Sequence, residues 1–131
     1  MRRSFVQQKA TGHRKGKTMD CIFCKIVSGD LKGDVVFEND SVLAFNDLNP
    51  QAPHHILIIP KEHLSTLNDF SESDVHTFGQ MGQAAKEIAK NLGVSESGYR
   101  VVVNCGEGAG QTVFHTHMHF LSGRSFGWPP G

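Results

Sequence analysis

The run His115-Thr116-His117-Met118-His119-Phe120-Leu121 places three of the chain's eight histidines at every second position. Successive side chains of a β-strand point to opposite faces, and same-face neighbours lie ~7 Å apart. The spacing therefore predicts a strand with all three imidazoles looking outward together while Thr116, Met118 and Phe120 pack into the body. Imidazole serves as nucleophile, proton donor or metal ligand near neutral pH, so that face is where chemistry is expected.

The elements that must position this face follow from periodicity. Cys21 to Val27 is a short apolar segment ended by Ser28-Gly29-Asp30, which predicts one or two helical turns. Val35 to Glu38 and Ser41 to Phe45 flank Asn39-Asp40 with the composition of a hairpin. His54 to Ile59 reads as a strand, and its unbroken Ile56-Leu57-Ile58-Ile59 run predicts a central position covered on both faces. Ser71, with an acid three positions later, precedes Val75, Phe78, Met81, Ala85, Ile88 and Leu92 at helical spacing, and Gly93 ends the pattern. Gly79 and Gly82 weaken that helix by ~1 kcal/mol each relative to Ala, which suggests a face that another element approaches closely. Tyr99 to Asn104 is the next strand, and a glycine-rich loop, Gly106 to Gly110, leads to the histidine run. Hairpin, strand, long helix, strand, loop, strand is the order of an α+β domain on an antiparallel sheet.

A chain of 131 residues with 38% hydrophobic content suits one domain with one core. Thirteen basic residues balance thirteen acidic ones, so no global field favours nucleic acid or an acidic membrane, and any phosphate affinity must be local. No apolar stretch has the length of a membrane span. Cys21, Cys24 and Cys105 are too few for a disulfide framework, which points to a reducing, cytoplasmic setting. Residues 1–18 carry six basic side chains and no acid, as in a flexible tail or an organellar import segment, leaving 19–131 as the domain.

The segment GQTVFHTHMHFL resembles the histidine-triad family, and its context extends the likeness. Lys25-Ile26, Phe45-Asn46-Asp47, Pro50-Gln51-Ala52-Pro53, Ile59-Pro60-Lys61-Glu62-His63, Gly98 to Asn104 and the closing Trp128-Pro129-Pro130-Gly131 are all similar to its Hint branch. The resemblance covers the chain from about Asp20 onward. It implies a five-stranded antiparallel sheet with one long and one or two short helices, paired in a homodimer as a ten-stranded sheet. It also implies hydrolysis of the P–N bond of purine nucleoside 5′-phosphoramidates through a nucleotidyl-histidine. Two other functions stay open: hydrolysis of dinucleoside polyphosphates, and nucleotide sensing or protein binding with residual turnover.

Residue by residue, the resemblance assigns His117 as nucleophile and His119 to the phosphate and leaving-group side. Gln111 and Thr112 fall where side chains touch phosphate or pass a proton, and Asn104 where an amide meets phosphate. Asp47 would accept from ribose hydroxyls, with Phe23, Ile26, Phe45 and Leu48 forming the base pocket. The Gly106 to Gly110 loop could offer backbone N–H groups to an oxyanion, although such loops are more often only turns. Members with a Cys-x-x-Cys pair bind structural zinc, which here implies Cys21, Cys24, His55 and His115 as a closed set. A redox pair or two packed thiols are the alternatives for those cysteines. Lys61, Glu62 and His63 read as a solvated turn, Cys105 as packed and His76 as a surface residue.

Overall fold

The computed structural model describes residues 20–131; the basic segment 1–18 and Met19 lie outside the described residues. The elements are α1 (Ile22–Ser28), β1 (Val35–Glu38), β2 (Val42–Asn46), β3 (His54–Pro60), α2 (Val75–Leu92), β4 (Tyr99–Val103) and β5 (Met118–Ser122), with short 3₁₀ turns between some of them. The strands form one antiparallel sheet in the order β1-β2-β3-β5-β4, which matches the predicted α+β architecture.

Helix α1 starts where Cys21 Sγ accepts the Cys24 N–H at 3.3 Å, satisfying one of the amides a helix start leaves open. It stops at Gly29, whose φ of +86° most side chains would resist. The β1–β2 turn is closed by Asn39, whose Oδ1 accepts the Ser41 and Val42 N–H groups, each at 2.9 Å.

Strand β3 sits at the centre of the sheet with both faces covered, as its unbroken apolar run predicts. Ile56 and Ile58 pack with Met118 and Phe120 against Met81, Ala84, Ala85 and Ile88 of α2. Leu57 and Ile59 turn the other way, into a cluster with Phe23, Leu43 and Phe45 beside α1. Each such fully buried side chain contributes ~1.5–3 kcal/mol relative to an exposed one.

Helix α2 begins one 3₁₀ turn later than the Ser71 cap suggests. The Ser71 N–H and hydroxyl both donate to Asp74 Oδ2, at 2.8 and 2.9 Å, closing the turn Glu72–Asp74 before Val75. Val75 and Phe78 are consequently exposed, and the core face runs from Met81 to Ala89. Gly79 and Gly82 do not mark a close approach within the described residues: a Cβ at either would meet nothing within 4 Å. They lie on the solvent side, away from Met81 and Ala85.

The histidine run departs from expectation in one respect. Thr116, Met118 and Phe120 are buried as predicted, but regular pairing begins only at Met118, and His115 and His117 are buried too. The ring of Phe23 covers them edge-on, at 5.9 Å from His115 and 5.3 Å from His117. Helix α1 thus roofs the imidazoles instead of leaving them on an open face.

Candidate functional site

The β3–β5 register decides which histidines meet. Leu57 pairs with His119 and His55 with Leu121, so the two strands run past each other one residue for one residue. Followed four residues back from His119, that register brings His115 level with the turn after β3. His55 stays at the other end, diagonal to His119.

At the first end, four soft donors converge. Cys21 Sγ lies 3.3 Å and Cys24 Sγ 3.6 Å from His115 Nδ1, and Cys24 Sγ is 3.3 Å from Nδ1 of His63. Cys21, Cys24, His63 and His115 bring their ligand atoms within 4.8 Å of one another. His63, not His55, is therefore the fourth member, which corrects both the ligand set implied by resemblance and the expectation that His63 lies in a solvated turn. It is 4% exposed. Each imidazole has a partner on its second nitrogen: His115 Nε2–H donates to the Pro60 carbonyl at 2.8 Å, and His63 Nε2 lies 3.1 Å from Ser65 Oγ. The His115 Nδ1 lone pair consequently faces the thiols, and His63 Nδ1 meets Cys24 from the other side. A tetrahedral zinc with ~2.3 Å bonds to sulfur and ~2.0 Å to nitrogen holds S and N about 3.5 Å apart, close to the spacings found. Burial holds the His115 pKa down at about 4, despite the Pro60 contact, so its ring is neutral and fit to ligate. Burial, with Cys24 alongside, raises the Cys21 thiol above its ordinary value, a shift that a bound cation would oppose.

Beside this cluster, between α1 and the sheet, opens a cleft of about 390 Å³, within the range of small-molecule sites. Of the residues expected to bind or react, Phe23, Ile26, Phe45, Asp47, Leu48, Thr112, His117 and His119 all line it. Phe23 and Phe45 form its buried wall, their rings edge-to-face at 5.5 Å, while Leu48 stands fully exposed at the rim. Nδ1–H of His117 donates to the His115 carbonyl at 2.8 Å, which leaves Nε2 as a lone pair on the cleft side. Burial lowers the His117 pKa, opposed by that carbonyl and by Asp47.

The second histidine cluster closes the cleft's far side. His55 Nε2 lies 2.9 Å from His119 Nδ1 and 3.4 Å from Asp47 Oδ2, and the rings of His119 and His117 are 5.0 Å apart. Burial first, then the proximity of His117 and His55, hold the His119 pKa down to about 4.

Two expected phosphate contacts do not reach this cleft. Gln111 is 2% exposed, and its amide is engaged within the protein: Nε2 donates to the carbonyls of Ser65 and Val113 at 2.8 and 3.0 Å, and Oε1 accepts the Gly106 N–H at 2.8 Å. Asn104 is half-buried at the end of β4, outside the lining. The Gly106 to Gly110 loop is a turn: the N–H groups of Gly106, Ala109, Gly110 and Gln111 are all bonded inside it. Gln111 braces that turn against the segment after β3, a role its sequence position did not reveal.

The HIT domain model matches residues 28–126, and the triad, its cleft and its sheet all fall within or against that span. The chain belongs to the HIT family.

This HIT chain is 44% identical over 108 residues to the purine nucleoside phosphoramidase of Escherichia coli strain K12, covering 82% of the chain and 91% of that protein. It is also 44% identical over 126 residues to a 14 kDa zinc-binding protein of Zea mays, covering 95% and 98%. The crystal structure of a HIT family hydrolase from Legionella pneumophila superposes with a TM-score of 0.83 at 48% identity, over 86% of this chain and all of that one. Among the described residues of the HIT chain no helix is long and apolar enough to cross a membrane. His63 was the functional candidate that sequence reasoning passed over. Its signal was the strand register, since a residue beyond Pro60 must meet His115 once His119 is set against Leu57.

Proposed function

We propose that this protein hydrolyses the P–N bond of purine nucleoside 5′-phosphoramidates through a nucleotidyl intermediate on His117. The observation that carries the reading is the carbonyl of His115 holding the His117 Nδ1–H at 2.8 Å, which fixes Nε2 as an unprotonated nucleophile facing an apolar cleft. The name of the E. coli relative supports the substrate class. A purine would lie between Phe23, Ile26, Phe45 and Leu48, with Asp47 at the ribose. His117 Nε2 attacks phosphorus, the N–P bond forms, and the P–N electron pair leaves with the amine, which takes a proton through the Thr112 hydroxyl at the cleft. Water then attacks the same phosphorus and gives up a proton that replaces, through the Thr112 hydroxyl, the one passed to the amine; the P–N electron pair returns to Nε2 and the nucleoside monophosphate is released. The His115 carbonyl stabilises the ring while it carries positive charge.

Zinc is the ion the Cys21, Cys24, His63 and His115 donors fit, and in this role it is structural: it would tie α1 to the segments before β5 and after β3, fixing the roof of the cleft. Its closed ligand set leaves no position for substrate. Two copies would pair along β4, an edge strand whose Tyr99 and Val101 are exposed, giving the ten-stranded sheet implied by resemblance; light scattering that returns a monomer mass would refute the pairing.

The central test is turnover of an AMP phosphoramidate by wild type and His117→Ala. The variant is expected to lose at least about a thousandfold in kcat/KM, and mass spectrometry of a quenched wild-type reaction should place the adduct on His117. Undiminished turnover in His117→Ala overturns the assignment.

A further inference from the structure

Asp47, His55 and His119 stand close enough to hold an ion, yet one hydrogen bond argues against it. The backbone N–H of Gln51 donates to His55 Nδ1 at 3.0 Å. A backbone amide has no other role to play, so Nδ1 of His55 is an acceptor and carries no proton. A metal-bound imidazole donates its second N–H to a neighbour; His55 receives one there, and ligation through Nε2 would require an imidazolate.

The same bond sets a direction for the chain of contacts that follows. With Nδ1 unprotonated, neutral His55 carries its proton on Nε2, which lies 2.9 Å from His119 Nδ1 and 3.4 Å from Asp47 Oδ2. That proton points between the two. Nδ1 of His119 must then accept, and neutral His119 carries its own proton on Nε2. Asp47 is steadied by the Asn49 N–H, which donates to its Oδ1 at 2.8 Å, so its other oxygen stays turned to His55. Meanwhile His119 lines the cleft beside His117.

We propose that His55 is a positioning residue which passes the polarity of the Gln51 amide to His119, locking His119 as an Nε2–H donor toward the phosphoryl oxygens beside His117. The two cleft histidines thereby hold opposite tautomers: His117 offers a lone pair, and His119 offers a hydrogen. A donor already oriented stabilises charge developing on the phosphoryl oxygens without reorganisation. His119 acts as a hydrogen-bond donor rather than as an acid, and His55 touches neither substrate nor reacting atoms. The catalytic part of this inference rests on the phosphoramidase reading; the tautomer part does not.

Long-range ¹⁵N–¹H NMR of the histidine rings, on the full chain at pH 7, tests the tautomer without substrate. Wild type should show His119 with Nδ1 of pyridine type and Nε2 protonated, and His55 with the same pattern. In His55→Leu, which deletes the donor, His119 should relax to a mixture of tautomers, and kcat on an AMP phosphoramidate should fall by ~10- to 100-fold with KM changed less than about threefold. His55→Gln retains an N–H toward His119 and should restore both the defined tautomer and most of kcat. A proton on His119 Nδ1 in wild type overturns the proposal, as does an unchanged His119 tautomer in a folded His55→Leu. Should His55→Leu fail to fold, the wild-type spectrum and the rescue by His55→Gln decide in its place. Correct tautomers with no phosphoramidate turnover would leave the lock standing and refute the substrate assignment instead.

Discussion

Two histidine clusters lie near each other, one built on the segment before β5 and one on β5 itself, and both their donors and the direction of the hydrogen bonds on the far side of their rings separate their chemistry. In the first, His115 donates its outer N–H to the Pro60 carbonyl and His63 sets its outer nitrogen against Ser65 Oγ, so the inner nitrogens converge on the thiols and a metal is welcome. In the second, His55 accepts from the Gln51 amide, a proton is pushed inward, and two histidines with a carboxylate make a hydrogen-bonded array. The clusters differ in their donors, four with two thiols against three with a carboxylate, and also in the partner on the far side of each ring.

The largest test of this contrast is metal content. Purified wild type should carry one zinc per chain. Cys24→Ser and His63→Gln should lose most of it and about 10 °C or more of Tm, whereas His55→Gln keeps a full complement. Zinc retained in His63→Gln and lost in His55→Gln would invert the assignment. Next in size, Ser65→Ala takes away the hydroxyl that partners His63 Nε2 and should weaken zinc binding by ~10- to 100-fold in a chelator competition; unaltered affinity would show that the outer bond does not set the ring.

Acid acts on both clusters, since burial holds His115 as well as His119 down to about 4, and in the second cluster the effect is read through His119. The His119 pKa falls from 6.5 to about 4 on folding, because burial and its neighbours His117 and His55 disfavour its charged form. Between those values the unfolded chain binds more protons, so the contribution of His119 is complete above pH 6.5 and is lost as pH drops toward 4. Urea midpoints taken across that range should decline with acidification, and His119→Gln should flatten the slope. A steeper slope in the variant would contradict burial of the His119 ring as the cause. The smallest effect belongs to Leu48, which is 99% exposed. Leu48→Ala should leave unfolding free energy within about 0.5 kcal/mol while raising KM several-fold for a purine substrate; an equal loss of stability would place Leu48 in the core instead of the cleft.

Much of the fold is legible because burial has a period. Ile56 to Ile59 announce a strand covered on both sides, and Thr116, Met118 and Phe120 announce their inward face. Helical spacing overstates the core face of α2, since Val75 and Phe78 keep the period but extend past the edge of what the sheet covers. Within the site, Phe23, Ile26, Phe45, Asp47, Leu48, Thr112, His117 and His119 are scattered along the chain and yet line one cleft. Gln111 does not join them, because an amide serves a ligand or a turn equally well until its partners are known.

Residue order settles which chemical groups are at hand: two thiols three apart, alternating imidazoles, an apolar strand for the sheet's centre and a short helix to close a cleft. Which histidine each thiol meets, and which ring nitrogen carries each proton, follows from the folded arrangement. Antiparallel register trades His55 for His63 over the length of one strand, and backbone carbonyls and amides supply the bonds that set the tautomers of His55, His115 and His117. Such partners leave no trace in side-chain pattern, because every residue but proline offers the same amide and carbonyl.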